Sequence, residues 1–288
     1  MWIAERDPTV LISADSRQVY RGFDIGTAKP TPAEQMRVPH RGIDVVDPTE
    51  RYSAASWAAA ADAWIEAAQV NGRRPLVVGG TGLYLRALFE GLFEEPPLEE
   101  SRRAALEGEL ASIATPELRR WVETLDPPRA HLGRTQLLRA VGVALLSGRR
   151  MSDLHRDHAT VPRWRPRYLL VDPGIALAQR IGRRLDEMLD NGWPEEVQRL
   201  MQTVPPDAPA WNATGYDAVR QLLLGQLSHA AAREAILIST RQYAKRQRTW
   251  FRHQLPRQSV THVDSSMVGW QDVVQRWAAG DTSGEAIA

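Results

Sequence analysis

Three short runs of uninterrupted apolar residues constrain most strongly what this chain can fold into. Val10-Leu11-Ile12 stops at Ser13-Ala14-Asp15-Ser16, Pro75-Leu76-Val77-Val78 stops at Gly79-Gly80-Thr81-Gly82, and Tyr168-Leu169-Leu170-Val171 stops at Asp172-Pro173. Short apolar runs bounded by turn formers read as buried strands. Gly42 to Val46 is a further strand candidate. Ser53 can cap an Ala-rich helix running to about Val70, and another helix is expected from about Leu83 to Phe89. Strands alternating with helices predict a parallel α/β sheet, where ligands gather at the strand carboxyl ends.

The pattern breaks at Glu94-Glu95-Pro96-Pro97. From Leu98 to about Arg150 helix formers recur at a spacing of three to four, with no strand candidate. Met151 to Arg167 is polar, carries His155, His158, Pro162 and Pro166, and reads as a connector. The expectation is an α/β core, residues 1–96 and 167–288, interrupted by a helical insertion domain, residues 97–166. The small polar tail after Asp281 is expected to fray.

Composition narrows the chemistry. With 43% hydrophobic residues in 288, the chain can bury a substantial core. It has no apolar run of membrane-spanning length, and Met1 to Asp7 is charged too early for a secretory leader. The absence of cysteine excludes a disulfide scaffold, a thiol nucleophile and a Cys-ligated metal, and fits a cytoplasmic enzyme. A net charge of +1 does not announce a nucleic-acid binder. Of 36 basic residues only Lys29 and Lys245 are lysine, a bias that fits drift in a GC-rich genome and, if so, singles out two places where a compact ammonium would suit better than a planar guanidinium.

Four segments resemble sites, and each has a plain structural reading beside the functional one. Asp15, at a strand end, can act as a general base or metal ligand, or simply cap a helix. Asp24-Ile25-Gly26-Thr27-Ala28-Lys29-Pro30 can bind an anion, or be a solvated turn. Gly79 to Gly82 offers backbone N–H groups at a helix start, or a tight turn that needs glycine for shape alone. The late helix, expected from Ser228 to about Arg252, places Arg241, Lys245, Arg248 and Arg252 on one face and Ile236, Tyr243 and Trp250 on the other. From Arg241 to Arg257 there are six basic residues and no acidic one. Charged faces usually mix signs, so a stripe of one sign suits a polyanion.

Taken in order, LISADSRQVY (11–20), DIGTAKP (24–30), Pro39-His40, Asp47-Pro48 with Tyr52-Ser53, VGGTGLY (78–84) and KRQRTWFR (245–252) resemble the tRNA dimethylallyltransferases, also called tRNA isopentenyltransferases. Weaker matches lie at 136–140, 180–192 and 215–216. The resemblance implies a P-loop nucleotide-kinase-like parallel sheet with a helical insertion domain. It implies transfer of a dimethylallyl group from dimethylallyl diphosphate to N6 of the adenosine 3′ to the anticodon of tRNA, assisted by Mg²⁺, by a cytoplasmic monomer. Such chains carry a first strand and a glycine-rich phosphate loop ahead of the segment that aligns with Met1, so both are expected to be missing here and activity impaired.

Carried over by motif, Asp15 resembles the general base, with Thr81 and Arg184 as its catalytic companions. Arg184 and Lys29 are the candidate diphosphate ligands. The implied tRNA contacts are Asp15, Ser16, Arg17, Gln18, Thr81, Arg103, Thr135, Gln136, Arg139, Gly215, Tyr216, Arg241, Lys245, Arg246, Gln247, Arg248, Thr249, Trp250 and Arg252. Two other classes remain open: an RNA-binding relic without catalysis, and a P-loop small-molecule kinase, which has no use for KRQRTWFR.

Overall fold

The computed structural model describes residues 1–91, 100–157 and 163–280. The chain forms two compact units, residues 1–89 with 164–288 and residues 90–163. The expected border at 96/97, the break at 94–97, His158 and Pro162 lie outside the described residues, as does the tail after Asp281.

The first unit opens with β1 (Thr9–Ser13), α1 (Pro32–Arg37), β2 (His40–Arg41), α2 (Ala54–Val70), β3 (Arg74–Val78) and α3 (Gly82–Phe89). β1 is buried along its whole length, as a strand with an apolar centre between two parallel neighbours should be. It pairs in parallel with β2 on one side and β3 on the other. Ser53 caps α2 by accepting from the Ser56 N–H at 2.9 Å. The Trp57 indole donates to the Ser13 carbonyl at 2.9 Å and seats α2 on the sheet. The strand expected at Gly42–Val46 does not form. Gly42 and Asp44 adopt left-handed backbone, φ +77° and +53°, which breaks an extended run. Pairing is limited to His40–Arg41 and a single bridge between Tyr20 and Val46.

The second unit is helical: α4 (Glu100–Ala111), α5 (Thr115–Leu125), α6 (Arg134–Ser147) and α7 (Met151–Asp157). Leu110, Leu118, Val122, Leu137, Ala140 and Val141 form its core. The segment read as a polar connector starts with α7, because Met151 and Leu154, three residues apart, share a face and bury against Val143. The fully buried Asp126 accepts from the Ser152 N–H at 3.0 Å and satisfies the start of that helix.

The first unit resumes with β4 (Tyr168–Val171), α8 (Leu177–Asp190), α9 (Trp193–Thr203), α10 (Tyr216–Leu223), α11 (His229–Gln254), β5 (Val260–Val263) and α12 (Trp270–Ala279). β4 and β5 pair in parallel and make a separate two-stranded sheet. All strand pairing among the described residues is therefore parallel, but in two sheets rather than one. β3 and β4 are both edges, and a cavity of about 1550 Å³ runs along them. In the main core Trp57, Trp193, Phe23 and Tyr216 are almost fully enclosed.

Candidate active site

Asp15 sits where β1 ends. Its Oδ1 accepts from the Arg17 N–H at 2.8 Å, so the carboxylate does cap the following turn. Its Oδ2 has no hydrogen-bond partner among the described residues, so the capping and chemical readings are compatible. The turn is held from across the sheet. The Ala14 N–H donates to the Val78 carbonyl, the Thr81 N–H to the Ala14 carbonyl, and the Ser16 N–H to Thr81 Oγ1 at 3.0 Å. Thr81 thereby fixes the loop that presents Asp15.

The glycines of the 79–82 junction are there for close approach. A Cβ on Gly79 would collide with the Ala14 backbone, one on Gly80 with the Gln247 side chain, and one on Gly82 with the Trp250 ring. Gln247 Nε2 donates to the Gly80 carbonyl at 3.0 Å. The α11 face opposite the basic stripe thus lies on the junction, with Ile236 deeply buried and Tyr243, Gln247 and Trp250 half-buried. Burial pushes the Tyr243 phenol pKa up and the Asp15 carboxylate adds to the rise, while Thr81 hydrogen bonding opposes it. Tyr243, read from periodicity as core alone, therefore borders Asp15 and Thr81. Nearby, Tyr84 is stacked on Trp57 at 4.7 Å, and its buried hydroxyl has no protein partner among the described residues.

Arg184 approaches from α8. Its surface is open to solvent, yet it is desolvated enough to lower its pKa, with the Asp15 carboxylate opposing that fall. It has no ion-pair partner among the described residues, and an accessible, desolvated arginine suits an anion. α8 is tied to α11 by a forked pair in which Arg233 donates to Asp186 at 2.7 and 2.9 Å.

Lys29, expected to bind diphosphate, and Tyr216, expected to touch tRNA, are both engaged inside the protein. Lys29 is buried, and its ammonium donates to the Tyr20 carbonyl at 2.8 Å and to Asp24 and Asp44 at 2.5 Å each. An ammonium has three donors, so none remains for a diphosphate. Tyr216 is fully buried and donates to Glu196 Oε1 at 2.7 Å, which removes it from any RNA surface. Gly215, at φ +91°, is packed against the Trp193 ring, and a side chain there would strike it. The buried Glu196 was missed from sequence. Its Oε2 accepts from the Asp24 and Ile25 N–H groups at 3.0 and 2.7 Å, so it anchors the 24–30 loop. Its signal was available: Trp193, Glu196, Val197 and Leu200 form one stripe, placing an acid on a buried face. Gln18 likewise faces inward, with Nε2 donating to the Thr27 and Ala28 carbonyls and Oε1 accepting from Ser13. Arg17 is half-buried and Ser16 lies beside Thr81.

On α11, Arg241, Lys245, Arg246, Arg248, Thr249 and Arg252 are exposed. The stripe is less single-signed in space than in sequence, because Arg248 donates to Asp172 at 3.0 Å. On the second unit, Thr135, Gln136 and Arg139 are exposed on α6, and Arg103 pairs with Glu107 on α4 at 3.0 Å. Gln136 also accepts from the Gly133 N–H, closing the start of α6.

Comparison with known proteins gives this geometry a context. A sequence model described as IPP transferase matches residues 18–254. The chain belongs to that family. A tRNA dimethylallyltransferase of Thermomicrobium roseum is 42% identical over 271 residues, 91% of this chain and 80% of the relative. One from a Synechococcus strain is 40% identical over 287 residues, 96% of this chain and 77% of the relative. The solved full-length tRNA isopentenylpyrophosphate transferase of Bacillus halodurans superposes with a TM-score of 0.69 at 30% identity, covering 98% of this chain and 90% of its own. The family match ends with α11, so the basic helix belongs to the family's shared architecture.

The Lys29 assignment separates cleanly from the alternative. Replacing a phosphate-binding lysine leaves the unliganded protein as stable as before. Lys29→Met is expected to destabilise the unliganded protein by about 1–3 kcal/mol, below the loss for a fully buried pair because both carboxylates face solvent. Urea unfolding without ligand measures it, and an unchanged midpoint would return Lys29 to the list of diphosphate ligands.

Proposed function

We propose that this chain transfers the dimethylallyl group of dimethylallyl diphosphate to N6 of the adenosine 3′ to the anticodon of tRNA. The observation that carries the reading is that Asp15 keeps one carboxylate oxygen open at the end of β1 while the accessible, desolvated Arg184 lies close enough to feel its charge. The amine nitrogen attacks the prenyl carbon bonded to oxygen, the new C–N bond forms as the C–O bond breaks, and diphosphate leaves. Asp15 takes the proton that the nitrogen sheds. Arg184 binds the departing diphosphate and stabilises the charge that develops on it. Thr81, Tyr243 and Gln247 keep Asp15 and the glycine junction in register. The target base must leave its stack to reach them.

No cluster of three acidic or histidine side chains among the described residues could hold a metal. Mg²⁺ carried on a diphosphate needs only one or two protein oxygens, and the Ser16 hydroxyl suits that role, leaving Asp15 Oδ2 for the proton. When bound, Mg²⁺ would neutralise charge on the leaving group. The exposed bases of α11 give the tRNA phosphates their contact, and Arg103, Thr135, Gln136 and Arg139 of the second unit are further candidate contacts. No helix among the described residues is long and apolar enough to cross a membrane.

Asp15→Asn keeps the cap and removes the base. Single-turnover transfer to an anticodon stem-loop is expected to slow by about 10²–10⁴-fold, with stem-loop affinity little changed. Full turnover by the variant would reduce Asp15 to a cap. Stem-loop binding by the parent without any transfer would favour the RNA-binding relic, and neither activity would favour the kinase.

The basic face is tested by salt. Each phosphate contact contributes roughly 0.7 to 0.9 to the log–log slope of affinity against salt. Lys245→Ala and Arg252→Ala are each expected to flatten the slope by slightly under one unit. Arg248→Ala should flatten it less, because Asp172 already occupies that guanidinium. Unchanged slopes for Lys245→Ala and Arg252→Ala would mean a merely solvated face.

A further inference from the structure

Tyr84 carries a buried hydroxyl that nothing in the proposed chemistry uses. It lies in the first turn of α3, is 3% exposed, and its oxygen has no hydrogen-bond partner among the described residues. Burying a phenol without a partner costs free energy that a phenylalanine at the same place would not. A native structure that keeps such a group calls for a reason, and a partner that arrives with the ligand is one. We propose that Tyr84 is a specificity residue: its hydroxyl donates to a ring nitrogen of the target adenine beside the amine, N1 or N7, while Asp15 accepts from the amine itself. This rests on the function proposed above.

Geometry makes the first argument, because the ring is fixed before any substrate arrives. It stacks on Trp57 with centroids 4.7 Å apart, and the Trp57 indole is tied to the Ser13 carbonyl, two residues before Asp15. The Tyr84 N–H donates to the Thr81 carbonyl at 2.9 Å, and Thr81 Oγ1 accepts from the Ser16 N–H. The phenol is therefore anchored to the two segments that present Asp15. A donor locked in this way has little freedom left to lose on binding.

Electrostatics selects the ligand atom. Burial raises the Tyr84 pKa, and the Tyr20 and Tyr52 phenols and the Asp15 carboxylate raise it further, against an opposing effect of Arg17. The hydroxyl stays protonated and acts as a donor. The Tyr20 oxygen does not compete for it, since it already accepts from the Tyr52 N–H. With the Asp15 charge felt at the phenol, a neutral acceptor suits it better than a diphosphate oxygen, which Asp15 would repel. Adenine offers such an acceptor on either side of its amine. An acceptor at Asp15 and a donor at Tyr84 match adenine and mismatch guanine, which carries a carbonyl where adenine has its amine.

The test removes the two halves of the contact separately and together. Anticodon stem-loops with 1-deazaadenosine or 7-deazaadenosine at the target position each replace one ring nitrogen by C–H. Equilibrium affinity for these and for the unsubstituted stem-loop is measured with the parent and with Tyr84→Phe, with thermal melting of the unliganded proteins and prenyl transfer to the unsubstituted stem-loop alongside. The parent is expected to lose about 3- to 10-fold in affinity for one of the two analogues. Tyr84→Phe should lose as much for the unsubstituted stem-loop and nothing further for that analogue, so that the two losses do not add. The variant should melt no lower than the parent, since the hydroxyl it lacks had no partner. Losses that add for both analogues would overturn the proposal. So would a lower melting temperature for Tyr84→Phe, because the hydroxyl would then be paired without substrate. A parent that binds the stem-loop without prenyl transfer contradicts the proposed function, additive losses with transfer intact contradict this inference alone, and a parent that does not bind contradicts both.

Discussion

The arrangement depends on one contact: α11 lies directly on the backbone of the 79–82 junction. Gln247 reaches the Gly80 carbonyl and Trp250 covers Gly82, at positions where any Cβ would collide. This places the Tyr243 phenol beside Asp15 and Thr81 on the inner face of the helix and leaves the bases on its outer face. The side chains beside the proposed base and the bases proposed to meet RNA phosphates are thus on two faces of one helix. The position of either is set by the absence of side chains at two glycines.

A second set of buried polar contacts keeps the opposite wall in place. Lys29 gathers Asp24, Asp44 and the Tyr20 carbonyl, Gln18 holds the 27–28 carbonyls, and Glu196 holds the 24–25 amides and the Tyr216 hydroxyl. Burying such groups is costly unless their partners are complete, and here each has them. The loop that looks from sequence like an anion cradle spends its polar groups on its own shape. The arginine proposed for anion recognition, Arg184, lies on α8, which the Arg233–Asp186 pair fastens to α11.

The strands β1, β3 and β4 and the helix α11 were legible because apolar runs and helical spacing are local signals. What escaped was decided by distant partners or by backbone shape. Gly42 and Asp44 turn left-handed and break a run that otherwise resembles a strand. Met151 and Leu154 make a helix inside a polar stretch that composition reads as a connector. β5, Val-Thr-His-Val, mixes polar and apolar residues and gains its order from pairing with β4. Lys29 stands out in sequence by its rarity, but its partner Asp44 lies fifteen residues on and no spacing rule points there. The Asp172 partner of Arg248 is likewise invisible in a helix read by itself. Glu196 could have been found, since an acid on an apolar stripe is a local signal.

The central claim is that the seating of α11 on the glycine junction assembles the site, and a double-mutant cycle on Gly82 and Trp250 tests it most directly. Gly82→Ala forces the indole away and is predicted to lower both single-turnover prenyl transfer and stem-loop affinity. Adding Trp250→Phe, which makes room for the methyl group, is predicted to restore part of both, so that the two substitutions are strongly non-additive. Transfer and binding that survive Gly82→Ala unchanged, or losses that simply add, would contradict it.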